Sequence, residues 1–137
     1  MSPASSNGAP SLVLDLPNEP ESVTRARHHT RDYAERSGAD PESVAIAVSE
    51  AVGNAVLHGY RHGRRGTVRV EAKSSGEMLS VIVSDSGVGM SPHGPAEGLG
   101  VGLSLIGHVS DRLEIEGCAE GGTRVAMGFQ LGALEPA

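Results

Sequence analysis

Asp85-Ser86-Gly87-Val88-Gly89-Met90 closes an apolar run, Leu79 to Val83, with a carboxylate set in a glycine turn. A carboxylate held there accepts a hydrogen bond from an exocyclic amine, and adenine presents one. Gly87 and Gly89 let the backbone turn sharply and leave room for a flat ring. Upstream, Glu50 and Asn54 stand four apart in a helical run, with His58 four further on. At about 100° per residue the three make a ridge along the border of the apolar stripe Val44, Val48, Ala51 and Ala55. Asn54 offers a hard amide oxygen suited to magnesium. Glu50, one turn away, can take a proton from a water or hydroxyl. Downstream come Gly98-Leu99-Gly100-Val101-Gly102 and then Gly121-Gly122-Thr123. Amides at a glycine-rich helix start cradle phosphate, and the Thr123 hydroxyl can join Asp85 in a purine-binding network. Each piece has a plainer reading: a polar helix edge, a common turn, glycine packing on a helix, a hairpin. The ordered set is the specific signal, and it describes a pocket for a nucleotide and its metal.

The bulk properties narrow the partners. The chain has 137 residues, a formal net charge of −6 and a pI near 5.4. An acidic balance argues against nucleic acid as a main partner. The one basic cluster, Arg61-His62-Gly63-Arg64-Arg65, reads as a solvated loop or a phosphate or partner patch. Cys118 is the only cysteine, which rules out an internal disulfide and points to a reducing, cytoplasmic setting. No stretch has the composition of a membrane span or a signal peptide. Nineteen glycines, eleven of them from Gly87 to Gly128, mark the second half as the part where backbone approaches a ligand.

The elements that must position these residues follow from periodicity. Residues 1–10 read as a disordered tail, 11–132 as one domain and 133–137 as a short tail. Ser11 to Leu16 is an edge strand. Glu21 to Ser37 is a helix stopped by Gly38. A second helix opens at Asp40-Pro41-Glu42, with cap, first-position proline and acidic first turn, and runs to His58, with Gly59 following. Thr67–Lys73 and Met78–Ser84 form a hairpin about a Ser74–Glu77 turn. Ser91 to Gly98 is a polar loop, Leu99 to Val109 a short apolar helix, and Arg112–Glu116 and Thr123–Leu131 two further strands. The order β-α-α-β-β-α-β-β predicts an α/β two-layer sandwich, a mixed, mostly antiparallel sheet with helices on one face. The glycine run fits neither the dinucleotide fingerprint nor a Walker A loop, for it follows a polar loop and carries no Gly-Lys-Ser/Thr.

With these residues in place, Glu50-Ala-Val-Gly-Asn-Ala-Val-Leu-His-Gly-Tyr resembles the N box of the Bergerat-fold ATPases, the superfamily of gyrase and the histidine kinases. Asp85 to Gly89 resembles its adenine box, Gly98 to Gly102 its second glycine box and Gly122-Thr123 its terminal threonine motif. The likeness runs from about Leu12 to Leu131. Within the superfamily the chain is most similar to the stand-alone anti-sigma factors that are serine/threonine kinases, through its N box, its compactness and Val109 to Ile115. The resemblance implies ATP and Mg²⁺ as ligands and Glu50 as general base for an acceptor serine. It places Asn54 on the metal and Asp85 on the adenine amine. Gly87, Gly89, Gly98, Gly100, Gly102 and Thr123 line the pocket, and Arg25 meets partners. The implied partners are a sigma factor, a STAS-type anti-anti-sigma protein and a second copy of the chain. Ser91 to Glu97 holds no Lys or Arg, unlike the longer lid of many relatives. Of that loop only His93 could approach the phosphates, Arg64, Arg65 or Lys73 could substitute from elsewhere, and the departure leaves ATP binding better supported than fast turnover. Two rivals follow: a non-catalytic nucleotide-sensing switch, and a separated histidine-kinase catalytic domain.

Overall fold

The computed structural model describes residues 11–61, 66–85, 100–117 and 122–132. The expected tails, the Ser91–Gly98 loop, Cys118 and most of the basic cluster lie outside these residues. Five strands, β1 (Leu12–Pro17), β2 (Thr67–Ser75), β3 (Met78–Asp85), β4 (Arg112–Gly117) and β5 (Thr123–Gln130), join in the order β1-β2-β3-β5-β4. Every pairing among the described residues is antiparallel, so the expectation of a mixed, mostly antiparallel sheet resolves to its antiparallel form. Three helices, α1 (Glu21–Ser37), α2 (Pro41–Arg61) and α3 (Gly100–Val109), complete the two-layer sandwich.

Strand alternation sorts side chains onto two faces. Leu16, Val68, Val70, Ala72, Leu79, Val81, Val83, Met127 and Phe129 are buried and make the sheet half of the core. Their neighbours Arg69, Lys73, Ser80 and Arg124 are exposed on the other face. Lys73 therefore stands on the opposite side of the sheet from the helices. It is removed as a phosphate ligand by strand periodicity alone.

α1 shows the 3.6-residue logic cleanly. Ser22, Ala26, Thr30, Tyr33 and Ala34 are buried, and the polar members are satisfied. Thr30 Oγ1 donates to the Ala26 carbonyl at 2.7 Å, and Ser22 Oγ to the Pro17 carbonyl at 2.5 Å. Tyr33 reaches across to β2, where its hydroxyl accepts from the Ser74 amide at 3.3 Å. Gly38 ends the helix at φ 96°, and the Gly38 and Ala39 amides both donate to the Ala34 carbonyl.

α2 opens as its residues require. The Asp40 carbonyl accepts from the Val44 amide, and the Asp40 carboxylate accepts from the Ser43 hydroxyl at 2.7 Å. Glu42 pairs with Arg31 of α1. The helix runs through Gly59 to Arg61 instead of ending near His58. A single glycine costs a helix only about 1 kcal/mol and does not stop it without a left-handed cap. Its buried surface is also wider than the expected stripe: Ala45, Ala47, Val52 and Val56 join Val44, Val48 and Ala51, while Ala55 is half-buried. The reason is position, since α2 packs against α1, α3, β2 and β3 together.

The hairpin turn is tighter than expected. Strand pairing continues to Ser75–Met78, leaving Gly76 and Glu77 at the tip, with Gly76 at φ 64°.

Candidate nucleotide site

Because α2 is covered on three sides, its remaining strip is narrow. Ser49, Glu50, Gly53 and Asn54 are half-buried along it, between the exposed Ile46 and Leu57. Glu50 and Asn54 thus sit on the border of the core, as their spacing predicts, with solvent access for a ligand. A Cβ built at Gly53 meets nothing within 4 Å, so open space adjoins this strip. The side chain of His58 is outside those described.

Asp85 ends β3 and shares the parity of Leu79, Val81 and Val83, so it projects from the helix-covered face. It stands between Val68 of β2, which is buried, and Thr123 of β5. The strand register therefore places Asp85 and Thr123 directly opposite each other, which brings two residues 38 apart in sequence together. Asp85 has a polar interaction of its own within the protein. Thr123 is 7% exposed, and its Oγ1 is buried without a hydrogen-bond partner among the described residues. Ser49 Oγ, next to Glu50, is in the same condition. Buried hydroxyls are satisfied in the great majority of cases. Two orphans, one beside each expected chemical group, fit a site whose partner is a polar ligand. Neither is recognisable as an orphan from sequence. Ser49 carries only one signal there, its place beside Glu50 on the ridge.

α3 begins at Gly100, one residue after the expected Leu99, so Gly100 and Gly102 lie in its first turn. The first four amides of a helix have no intrahelical acceptor, which is the feature a phosphate can use. Ile106, fully buried, pins the helix to the core, and α3 packs on α2. Gly87, Gly89 and Gly98 lie outside the described residues. Arg25 is exposed on α1 and makes no ion pair among the described residues.

The donors present suit a magnesium nucleotide. Asn54 offers an amide oxygen and Glu50 a carboxylate, the Asp85 carboxylate is able to accept from an amine, and the Thr123 hydroxyl, without a partner among the described residues, can complete that network. Thr123→Val keeps the shape and removes the orphan. The free protein should gain about 1 kcal/mol, read as a higher melting temperature, while losing nucleotide affinity. Lower stability of the free protein would mean that Thr123 Oγ1 has a partner within the fold.

The profile described as histidine kinase-like ATPase domain matches residues 16–129. An anti-sigma F factor of Clostridium novyi is 30% identical over 67% of this chain and 72% of its own length. The serine-protein kinase RsbW of Bacillus velezensis is 31% identical over 85% of this chain and 82% of its own. The crystal structure of the RsbU and RsbW domains of a Mycobacterium tuberculosis protein shares the fold at TM-score 0.70 and 24% identity, over 94% of this chain and 35% of that one. Among the described residues no helix is long and apolar enough to cross a membrane. The chain belongs to the histidine kinase-like ATPase domain family, in the branch that holds the anti-sigma F factors and the RsbW serine-protein kinases.

Proposed function

We propose that the chain is an anti-sigma factor and ATP-dependent serine kinase. It sequesters a sigma factor and phosphorylates a serine on a STAS-type anti-anti-sigma protein, working as a homodimer in the cytoplasm. The observation that carries the nucleotide part is the pairing of Asp85 with Thr123, whose buried hydroxyl has no partner among the described residues. Family membership supports the partner classes.

In this reading Asp85 and Thr123 hold the adenine, and the α3 amides from Gly100 onward hold phosphate oxygens, with Gly87, Gly89 and Gly98 shaping the loops around them. Asn54 would hold Mg²⁺, which supplies charge neutralisation on the phosphates. Glu50 takes the proton of the acceptor serine as its oxygen bonds to the γ-phosphorus. The β–γ bridging bond breaks, and ADP leaves with its electron pair. Positioning and charge neutralisation dominate such a transfer. Arg25, exposed on α1, belongs to the partner-binding surface.

The test of the metal assignment is Asn54→Ala. ATP affinity measured with Mg²⁺ should fall about tenfold or more, with a much smaller change in EDTA, in keeping with the loss of one charge-assisted contact. An equal loss in both conditions would move Asn54 off the metal.

A further inference from the structure

The open strip of α2 carries apolar side chains that the nucleotide site does not use. Among the described residues, the exposed large apolar side chains are Val13, Ile46, Leu57, Leu105 and Ile115. Val13, Leu105 and Ile115 stand singly on β1, α3 and β4, and single exposed apolar residues are ordinary. Ile46 and Leu57 share one helix. They differ by only about 20° around its axis and so lie on one line. Glu50 and Gly53 stand between them within about 40° of that line, with Asn54 along its border.

The polar neighbours of Ile46 at the start of the strip are tied down within the fold. Glu42 pairs with Arg31 of α1, and the Ser43 hydroxyl donates to the Asp40 carboxylate. Ala45, Ala47 and Val48 are buried in the core. Ile46, 38% exposed, is left facing outward one turn before Glu50. Asn54 is one turn from Glu50 in the other direction. In phosphoryl transfer the attacking and leaving oxygens stand roughly in line, on opposite sides of phosphorus. With the phosphates held at Asn54 and the first turn of α3, the acceptor reaches Glu50 from the side away from ADP. Along α2 that is the Ile46 side.

Resting on the serine-kinase reading above, we infer that Ile46 is the docking anchor for the acceptor protein. It receives an apolar side chain of the acceptor and so holds the acceptor serine at Glu50. Ile46 and Glu50 are about 6 Å apart along the helix axis. The same span separates alternate residues of an extended segment, or residues one turn apart on a helix, so the acceptor presents its apolar residue at that spacing from the serine. A contact of this kind selects which serine is phosphorylated. It is made equally before and during transfer, so it sets acceptor affinity and leaves the chemical step to Glu50.

Steady-state transfer from labelled ATP to a STAS-type acceptor, at varied acceptor concentration, tests the assignment. Ile46→Ala should raise KM for the acceptor about tenfold, from the lost apolar contact. The kcat at saturating acceptor and the calorimetric ATP affinity should be retained. Alanine is the best helix former, and circular dichroism checks that the variant is folded. Ile46→Leu, of the same volume, should restore the KM of the unmodified chain. On the acceptor, the exposed apolar residues near the serine are changed to alanine one at a time. One of these changes should raise KM by a similar factor and add little to Ile46→Ala.

An unchanged KM for Ile46→Ala overturns the anchor while the kinase reading stands. A lower kcat with KM unchanged also overturns it, since Ile46 would then act through Glu50. Additivity with every acceptor change removes the direct contact. A shift in sedimentation without a change in KM assigns the face to a second copy instead. If the unmodified chain transfers no phosphate to the acceptor, the kinase reading falls and the anchor with it.

Discussion

Asp85→Asn abolishes adenine-selective binding. Titration calorimetry of ATP into the variant should show affinity at least about a hundredfold below that of the unmodified chain, about 3 kcal/mol. The size follows from the chemistry. Replacing a carboxylate with an amide removes a charge-assisted acceptor. It can also turn an N–H donor toward the adenine amine, so that two donors meet. The fold should survive, because Asp85 is half-buried at the last position of β3, while Leu79, Val81 and Val83 carry the packing of that strand. A melting temperature close to that of the unmodified chain, combined with lost binding, is the expected pair of results. Unchanged ATP affinity would remove Asp85 from the site.

Glu50→Gln separates chemistry from binding. With labelled ATP and a STAS-type anti-anti-sigma acceptor, transfer should fall about a hundredfold to ten-thousandfold, the usual worth of a positioned base. ATP affinity should change little, since Glu50 acts on the acceptor hydroxyl and not on the nucleotide. The label on the acceptor should be acid-stable, as expected for phosphoserine. Acid-labile label would favour a histidine acceptor. Binding without any transfer by the unmodified chain would favour a nucleotide-sensing switch. Full transfer by the Glu50→Gln variant would overturn the base assignment.

The parts of the fold legible in sequence are those where one local rule decides the outcome. α1 is bounded as its residues indicate, because Gly38 supplies the left-handed cap and the buried face repeats without conflict. The strand faces follow from alternation. What sequence hid was set by tertiary context. The wide buried face of α2 depends on four neighbours, which periodicity within one helix does not reveal. Gly59 shows the same limit: a glycine marks a helix end only when the backbone takes a positive φ there, and Gly59 lies inside α2.

The candidate site divides in the same way. Glu50 and Asn54 are readable as polar residues on the border of an apolar stripe, since both lie on one helix. The pairing of Asp85 with Thr123 needs the β3–β5 register, a long-range fact. That the hydroxyls of Ser49 and Thr123 are without a partner among the described residues emerges only from the packed structure. Lys73, plausible as a cation by type, is excluded by the face of the sheet on which it stands.

The central claim is that the strip of α2 and the ends of β3 and β5 bind a magnesium nucleotide through its adenine. Calorimetric titration of ATP, ADP and GTP into the unmodified chain, with and without Mg²⁺, tests it most directly. Binding of ATP and ADP should be saturable and strengthened by Mg²⁺, with GTP at least about tenfold weaker because guanine carries a carbonyl where adenine carries the 6-amine that Asp85 would accept from. GTP bound as tightly as ATP, or no nucleotide bound in either condition, would contradict it.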